Sequence, residues 1–139
     1  MKKVLVGGVF NIVHPGHEFF LKKAKALGDY LIVVVAHDRT AKKTKSYAIL
    51  GQKERKRNVE KLGIADKVVI GDKRDFMKVV REEKPDIIVL GYDQEMTERE
   101  LKQLLDENGI ACAIRRIREK LEGYKTSRII KNKEANKEA

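Results

Sequence analysis

Five short apolar runs rich in β-branched residues, each followed by a stretch of different periodicity, constrain this chain more than any other feature. Lys3-Val4-Leu5-Val6 stops at Gly7-Gly8, residues 30–36 are apolar without a break, residues 67–70 close on Gly71, residues 86–90 close on Gly91, and residues 110–117 form the last run. An unbroken apolar strand has both faces covered, which is the condition of a parallel sheet rather than of a half-solvated antiparallel one. Between the runs the spacing turns helical. Pro15 suits a first helical turn, Phe19, Phe20, Ala24 and Leu27 form a stripe, and Gly28 stops it. Residues 52–62 and 76–83 read as further helices, the second broken by Pro85. Thr97 and Glu100 have the spacing of a capping box ahead of Leu101, Leu104 and Leu105, and Gly109 ends that helix. Residues 38–50 carry few apolar side chains and read as a mobile loop. Strands alternating with helical crossovers imply an α/β fold: a single-domain, open, parallel five-stranded sheet with helices on both faces.

The 139 residues suit one domain, placed at residues 1–131 with a last helix beginning near Thr126 and a polar tail over residues 132–139. In such sheets ligands bind beyond the carboxyl ends of the strands, where the strand order reverses. Chemistry is therefore expected near residues 8–17, 37–38, 71–72 and 91–93, and after Ile117.

The formal net charge of +10 favours an anionic partner without choosing among nucleotides, phosphorylated metabolites, nucleic acids and acidic membranes. No helix-turn-helix, zinc finger or basic strand with stacking aromatics supports a specific nucleic-acid module. The longest apolar run is far too short to span a bilayer, and no signal peptide is visible, so no membrane partner and a cytoplasmic location are expected. Cys112 is the single cysteine; its apolar surroundings suggest a buried structural thiol.

The densest chemical signal is Gly7-Gly8-Val9-Phe10-Asn11-Ile12-Val13-His14-Pro15-Gly16-His17, directly after the first strand and opening the first helix. Gly8 permits close approach of a ligand to the backbone. Gly16 and the N–H groups of the helix start can face phosphate oxygens. His14 and His17 lie three residues apart across a Pro-Gly step, so both imidazoles can offer N–H donors to the same anion. Fixed donors of this kind stabilise charge that builds during phosphoryl-type transfer. No Cys pair and no H-E-x-x-H spacing supports a protein-ligated metal, and no metal-ligating residue is assigned.

His14-Pro15-Gly16-His17 resembles the H-x-G-H signature of cytidylyltransferase-like nucleotidyltransferases, and Gly8-Val9-Phe10-Asn11 resembles their G-T-F-D. Ile88-Val89-Leu90-Gly91-Tyr92-Asp93-Gln94 is similar to a strand-end motif of the archaeal FAD synthase branch. Gly123-Tyr124-Lys125-Thr126-Ser127-Arg128-Ile129-Ile130 is similar to the family's G-I-S-T-T-x-I-I. The resemblance covers about residues 3–131 in the expected order and implies a Rossmann-like fold.

The resemblance implies that His14, His17, Lys125 and Arg128 act on the triphosphate. It implies that Gly8, Val9, Phe10, Asn11, Gly16, Asp93, Thr126 and Ser127 bind the nucleotide, and that Asp38, Lys43, Lys45 and Arg55 meet the acceptor. Mg²⁺ is expected to arrive with the triphosphate, and a homodimer is expected from the resemblance alone. Val9 and Asn11 depart from the family pattern by losing a hydroxyl and a negative charge, and Lys125 replaces a hydroxyl with a cation. The implied reaction moves a nucleoside monophosphate from ATP or CTP to a phosphate-bearing acceptor, with FMN adenylylation first and CTP:glycerol-3-phosphate cytidylyl transfer second. A phosphate acceptor is already ionised at neutral pH, so positioning and charge stabilisation carry the catalysis and no general base is needed. Another class is a non-catalytic nucleotide sensor, which Val9 and Asn11 favour.

Overall fold

The computed structural model describes residues 1–44 and 49–119. Its elements run β1 Lys3–Gly8, α1 Pro15–Lys25, β2 Tyr30–Val35, α2 Asp38–Thr44, α3 Gln52–Lys61, β3 Lys67–Ile70, α4 Lys78–Glu83, β4 Ile87–Gly91, α5 Glu98–Glu107 and β5 Ala113–Ile117. The strands form one sheet in the order β3-β2-β1-β4-β5, all neighbours parallel. This is the α/β architecture expected from the alternating runs.

The unbroken apolar strands have the physical cause inferred for them. Successive side chains of a strand point to opposite faces, and both faces are packed. Val4, Val6, Leu31 and Val33 join Leu21 of α1 and Val59 of α3 in one cluster. Leu5, Ile32 and Ile88 join Val80 of α4 and Leu101 and Leu105 of α5 in the other. Each such side chain, fully buried, contributes roughly 1.5–3 kcal/mol. The chain lays β1, β2 and β3 outward in one direction, then returns to set β4 on the other side of β1. The order therefore reverses between β1 and β4, and their carboxyl ends flank the expected binding crevice.

The larger departures from the sequence reading lie at α2, α4 and β5. The segment read as a loop over residues 38–50 begins with α2, whose one apolar residue, Ala41, is fully buried. A seven-residue helix with one anchoring side chain has no periodicity to detect. Helix α4 begins at Lys78 rather than Phe76; Phe76 is exposed at 61%, while Met77 is buried and precedes the helix. Strand β5 begins at Ala113 rather than at residue 110. Gly109 there adopts φ 67°, and the Ile110 N–H returns to the Leu105 carbonyl, so Ile110 closes α5 instead of entering the sheet.

Candidate active site

The turn from β1 into α1 is built around the two histidines. His14 is the N-cap of α1, with extended backbone at φ −144° and ψ 173°. Its Nδ1 accepts the Gly16 N–H at 3.0 Å, and His17 Nδ1 accepts the His14 N–H at 3.3 Å. The pair is a reciprocal capping box with imidazoles in the places usually held by a hydroxyl and a carboxylate. With each Nδ1 accepting, the neutral rings carry their hydrogens on Nε2. The ring centroids lie 4.0 Å apart at an interplanar angle of 37°. Two Nε2–H donors are thereby held side by side in fixed tautomers. The Gly16 N–H, expected to face phosphate, is engaged by His14 Nδ1.

Burial holds His14 below the usual imidazole range, opposed by the negative charge of Asp93. His14 is therefore neutral at pH 7, in the form that keeps Nδ1 an acceptor. Asp93 is exposed, on the loop that follows β4.

Phe10 sets the path of the preceding segment. It adopts φ 52°, uncommon for a bulky side chain, and its ring is buried 5.4 Å from that of His17. A Cβ at Gly8 would lie 3.0 Å from Phe10 Cε2. The small size of Gly8 thus leaves room for the Phe10 ring. Phe10 itself is core, and its side chain steadies His17.

Asn11 is 3% exposed, and its Oδ1 accepts the Leu50 N–H at 2.8 Å. An Asp carboxylate would accept the same bond, so the departure from the family pattern preserves this link. The Val9 carbonyl accepts from Arg55 Nη1 at 2.9 Å. Arg55 is fully buried, and its guanidinium also donates to the Leu50 carbonyl and to Asp38 Oδ1, each at 2.8 Å. Asp38, at the start of α2, donates its backbone N–H to Gln52 Oε1 at 2.8 Å. Arg55 and Asp38 were both expected to meet an acceptor. The structure instead ties them to each other and makes Arg55 the post that joins the Val9 carbonyl, the approach to α3 and the first turn of α2. The reason is that a buried guanidinium must find partners, and two backbone carbonyls and a carboxylate supply them.

The other side of the crevice is the 91–96 loop. Beyond the Val6–Val89 pair, β1 and β4 no longer share backbone bonds. Gln94 spans the split: its Oε1 accepts the Gly91 N–H at 2.6 Å, and its Nε2 donates to the Gly7 carbonyl at 3.2 Å. Arg116 of β5 supports the loop from the α5 side through the carbonyls of Gly91, Gln94 and Met96. Sequence reading assigned neither Gln94 nor Arg116. The available signal was an arginine at a strand position alternating with Arg115, which is exposed.

Lys43 belongs to α2. Lys45, Lys125, Thr126, Ser127 and Arg128 lie outside the described residues, as does the helix expected near Thr126. Among the described residues no group of three or more His, Cys, Asp or Glu is placed to hold a metal ion, and no helix is long and apolar enough to cross a membrane. Cys112, expected to be buried, is half-buried at the entry to β5, and desolvation pushes its thiol up to about 11.

The paired imidazoles stand at the switch point of a five-stranded parallel sheet, where ligands of such folds bind, and the chain is a nucleotidyltransferase by its family. The chain belongs to the cytidylyltransferase-like family, whose model matches residues 5–132. Among its relatives, a protein of Ferroglobus placidus named FAD synthase is 45% identical over 120 residues, covering 86% of this chain and 78% of that one. A FAD synthase of Thermoplasma acidophilum is 44% identical over 117 residues, covering 84% and 82%. Among solved structures, a lipopolysaccharide core biosynthesis protein of Thermoplasma volcanium superposes with a TM-score of 0.83 at 43% identity, over 88% of this chain and 99% of that one. A pantoate-beta-alanine ligase of Francisella tularensis shares the fold alone, with a TM-score of 0.64 at 17% identity over 94% and 65% of the two chains.

Proposed function

We propose that this nucleotidyltransferase adenylylates FMN, converting ATP and FMN to FAD and pyrophosphate. The observation that carries this reading is the His14–His17 capping box, which fixes two Nε2–H donors at the crevice of a chain about 45% identical to a FAD synthase. FAD is FMN joined to AMP through a pyrophosphate link, so the name of the relatives prescribes the bond to be made. An oxygen of the FMN phosphate attacks the α-phosphorus of ATP. The bond from that phosphorus to the β-bridging oxygen breaks, and pyrophosphate leaves with the electron pair. His14 and His17 donate to phosphate oxygens as charge builds there, from positions already fixed by the capping box.

Phe10, Asn11, Gly8 and Val9 shape the β1–α1 segment on which the nucleotide rests, and Asp93 faces it from the opposite loop. Lys125, Thr126, Ser127 and Arg128 are assigned to the triphosphate, and Lys43 and Lys45 to the FMN phosphate, by resemblance. Arg55 and Asp38 serve the acceptor side indirectly, by holding α2. An Mg²⁺ carried by triphosphate oxygens and water, as this ion prefers, is part of the reading. Such an ion supplies charge neutralisation on the leaving pyrophosphate. A homodimeric, cytoplasmic enzyme completes the reading.

The test is pyrophosphate release by the purified protein with Mg²⁺, crossing ATP and CTP against FMN and glycerol 3-phosphate, with FAD identified by mass. FAD from the ATP and FMN pair alone is the expected result. Release only with CTP and glycerol 3-phosphate would replace it with the cytidylyl reading. ATP binding without release from any pair would make the chain a nucleotide sensor.

A further inference from the structure

We propose that Arg116 is a positioning residue for nucleotidyl transfer, holding the 91–96 loop and the Asp93 it carries at the carboxyl edge of the sheet. The inference rests on the function proposed above and adds to it a residue remote from the histidine pair.

Arg116 pairs in register with Leu90, so its side chain leaves β5 beside the last residues of β4. Only 11% of that side chain is exposed. Nη1 donates to the Gly91 carbonyl at 2.5 Å and to the Gln94 carbonyl at 3.3 Å. Nη2 donates to the Met96 carbonyl at 2.6 Å. Nε and Nη2 both reach Glu98 Oε1 in the first turn of α5, at 2.8 and 2.7 Å. Three carbonyls of one loop and a carboxylate of the next helix thus converge on one planar cation.

The loop has other supports as well, among them Met96, which packs against the apolar cluster of α4 and α5. The loop contains a turn closed by the Gln94 N–H on the Gly91 carbonyl at 3.3 Å, and the Gln94 side chain that braces it to β1. Asp93 Oδ1 lies 3.5 Å from where a Cβ of Gly91 would stand, so the carboxylate folds back over the same residue whose carbonyl Arg116 grips. The charge of Asp93 is felt at His14. Arg116 is connected to the segment that carries the histidines through the loop backbone, then the Gln94 side chain, then the Gly7 carbonyl at the end of β1. A lysine cannot reproduce this, since one ammonium has neither the planar fork nor the reach to serve three carbonyls and Glu98 together. Misplacement of a site by an ångström commonly costs about a hundredfold in rate.

The experiment compares Arg116→Lys and Arg116→Ala with wild type and with the exposed-strand control Arg115→Ala. It reads thermal unfolding, kcat and KM for ATP and FMN, and the His14 ring signals in ¹H–¹⁵N spectra. The expected result is a folded Arg116→Lys protein with kcat/KM lowered roughly tenfold to a hundredfold and displaced His14 signals, while Arg115→Ala matches wild type. Glu98→Gln, which loosens the anchor without removing the cation, is expected to fall between. A folded Arg116→Lys protein with wild-type kinetics and unmoved His14 signals would overturn the proposal, as would a loss of melting temperature alone. If wild type itself makes no FAD, the function proposed above falls. The positioning role is then judged on ATP affinity and the His14 signals, and no change in either for Arg116→Lys defeats it.

Discussion

His17 Nδ1 accepts the backbone N–H of His14 at 3.3 Å while His14 Nδ1 caps the helix on Gly16 at 3.0 Å, so each imidazole is oriented by the other's segment. Stability and chemistry are thereby loaded onto different atoms of one side chain. Nδ1 closes the helix end, and in the function proposed above Nε2 addresses phosphate. Replacing His17 by Gln separates the two, because Gln at the third helical position can still reach the N-cap N–H. His17→Gln is expected to unfold close to wild type and to lose turnover by about 10²–10³. His17→Ala is expected to lose the same turnover and about 1 kcal/mol of stability. Chemical denaturation beside a pyrophosphate assay measures both, and a fully active His17→Ala protein would remove His17 from the chemistry.

His14 carries a pH signature of known sign. Its folded value lies below the unfolded one because burial penalises the imidazolium. The unfolded chain therefore binds the extra proton first. His14's contribution to stability is fully present above about 6.5 and is lost as pH falls through the depressed folded value. Asp93 opposes the depression, so Asp93→Asn is expected to lower the His14 value further. An NMR titration of the two proteins gives the order directly, and a higher value in Asp93→Asn would contradict the electrostatic link across the crevice.

Arg55 is expected to be the most costly charged residue to remove from the described part of the chain. Its loss strands the Val9 and Leu50 carbonyls and the Asp38 carboxylate. Breaking a buried pair from that side costs about 3–5 kcal/mol, so Arg55→Ala should unfold at much lower denaturant. Asp38→Ala should cost less, since 35% of the Asp38 side chain meets solvent and can be replaced there by water. Equal losses for the two variants would contradict the hub geometry.

Gly8→Ala tests the packing of Phe10. The added methyl meets the Phe10 ring at 3.0 to 3.4 Å, and Phe10 is already held at φ 52°. Overpacking of this kind costs about 1–3 kcal/mol, and any shift of the ring is passed to His17. Lower stability together with slower turnover is expected, read by thermal melts and FAD formation; loss of stability without any kinetic change would uncouple Phe10 from the site.

Cys112 should be a poor nucleophile despite its partial exposure. With its thiol pushed up to about 11, little thiolate exists at pH 8. Labelling by a thiol-specific disulfide reagent is expected to be much slower than for a free cysteine, and rapid labelling in the folded protein would refute the burial argument.

The sheet, the switch-point location and the histidine pair were legible in the chain itself, because each has a local signature. Apolar runs without polar alternation mark strands packed on both faces. Pro15 and Gly28 bracket the first helix, and His14 and His17 stand at a fixed spacing at its start. Helix α2 was not legible, since Ala41 is its one apolar residue. Nor was the burial of Arg55 and Arg116. A charged residue is exposed by default, and only partners distant in sequence reverse that default. Val9 lies 46 residues from Arg55, and Gly91 lies 25 from Arg116. Sequence alone thus determined which elements form and where chemistry can sit, through short-range periodicity and composition. The tertiary structure decided which imidazole nitrogens close the helix end and which arginines hold the loops around it, because hydrogen-bond partners brought together by folding set both.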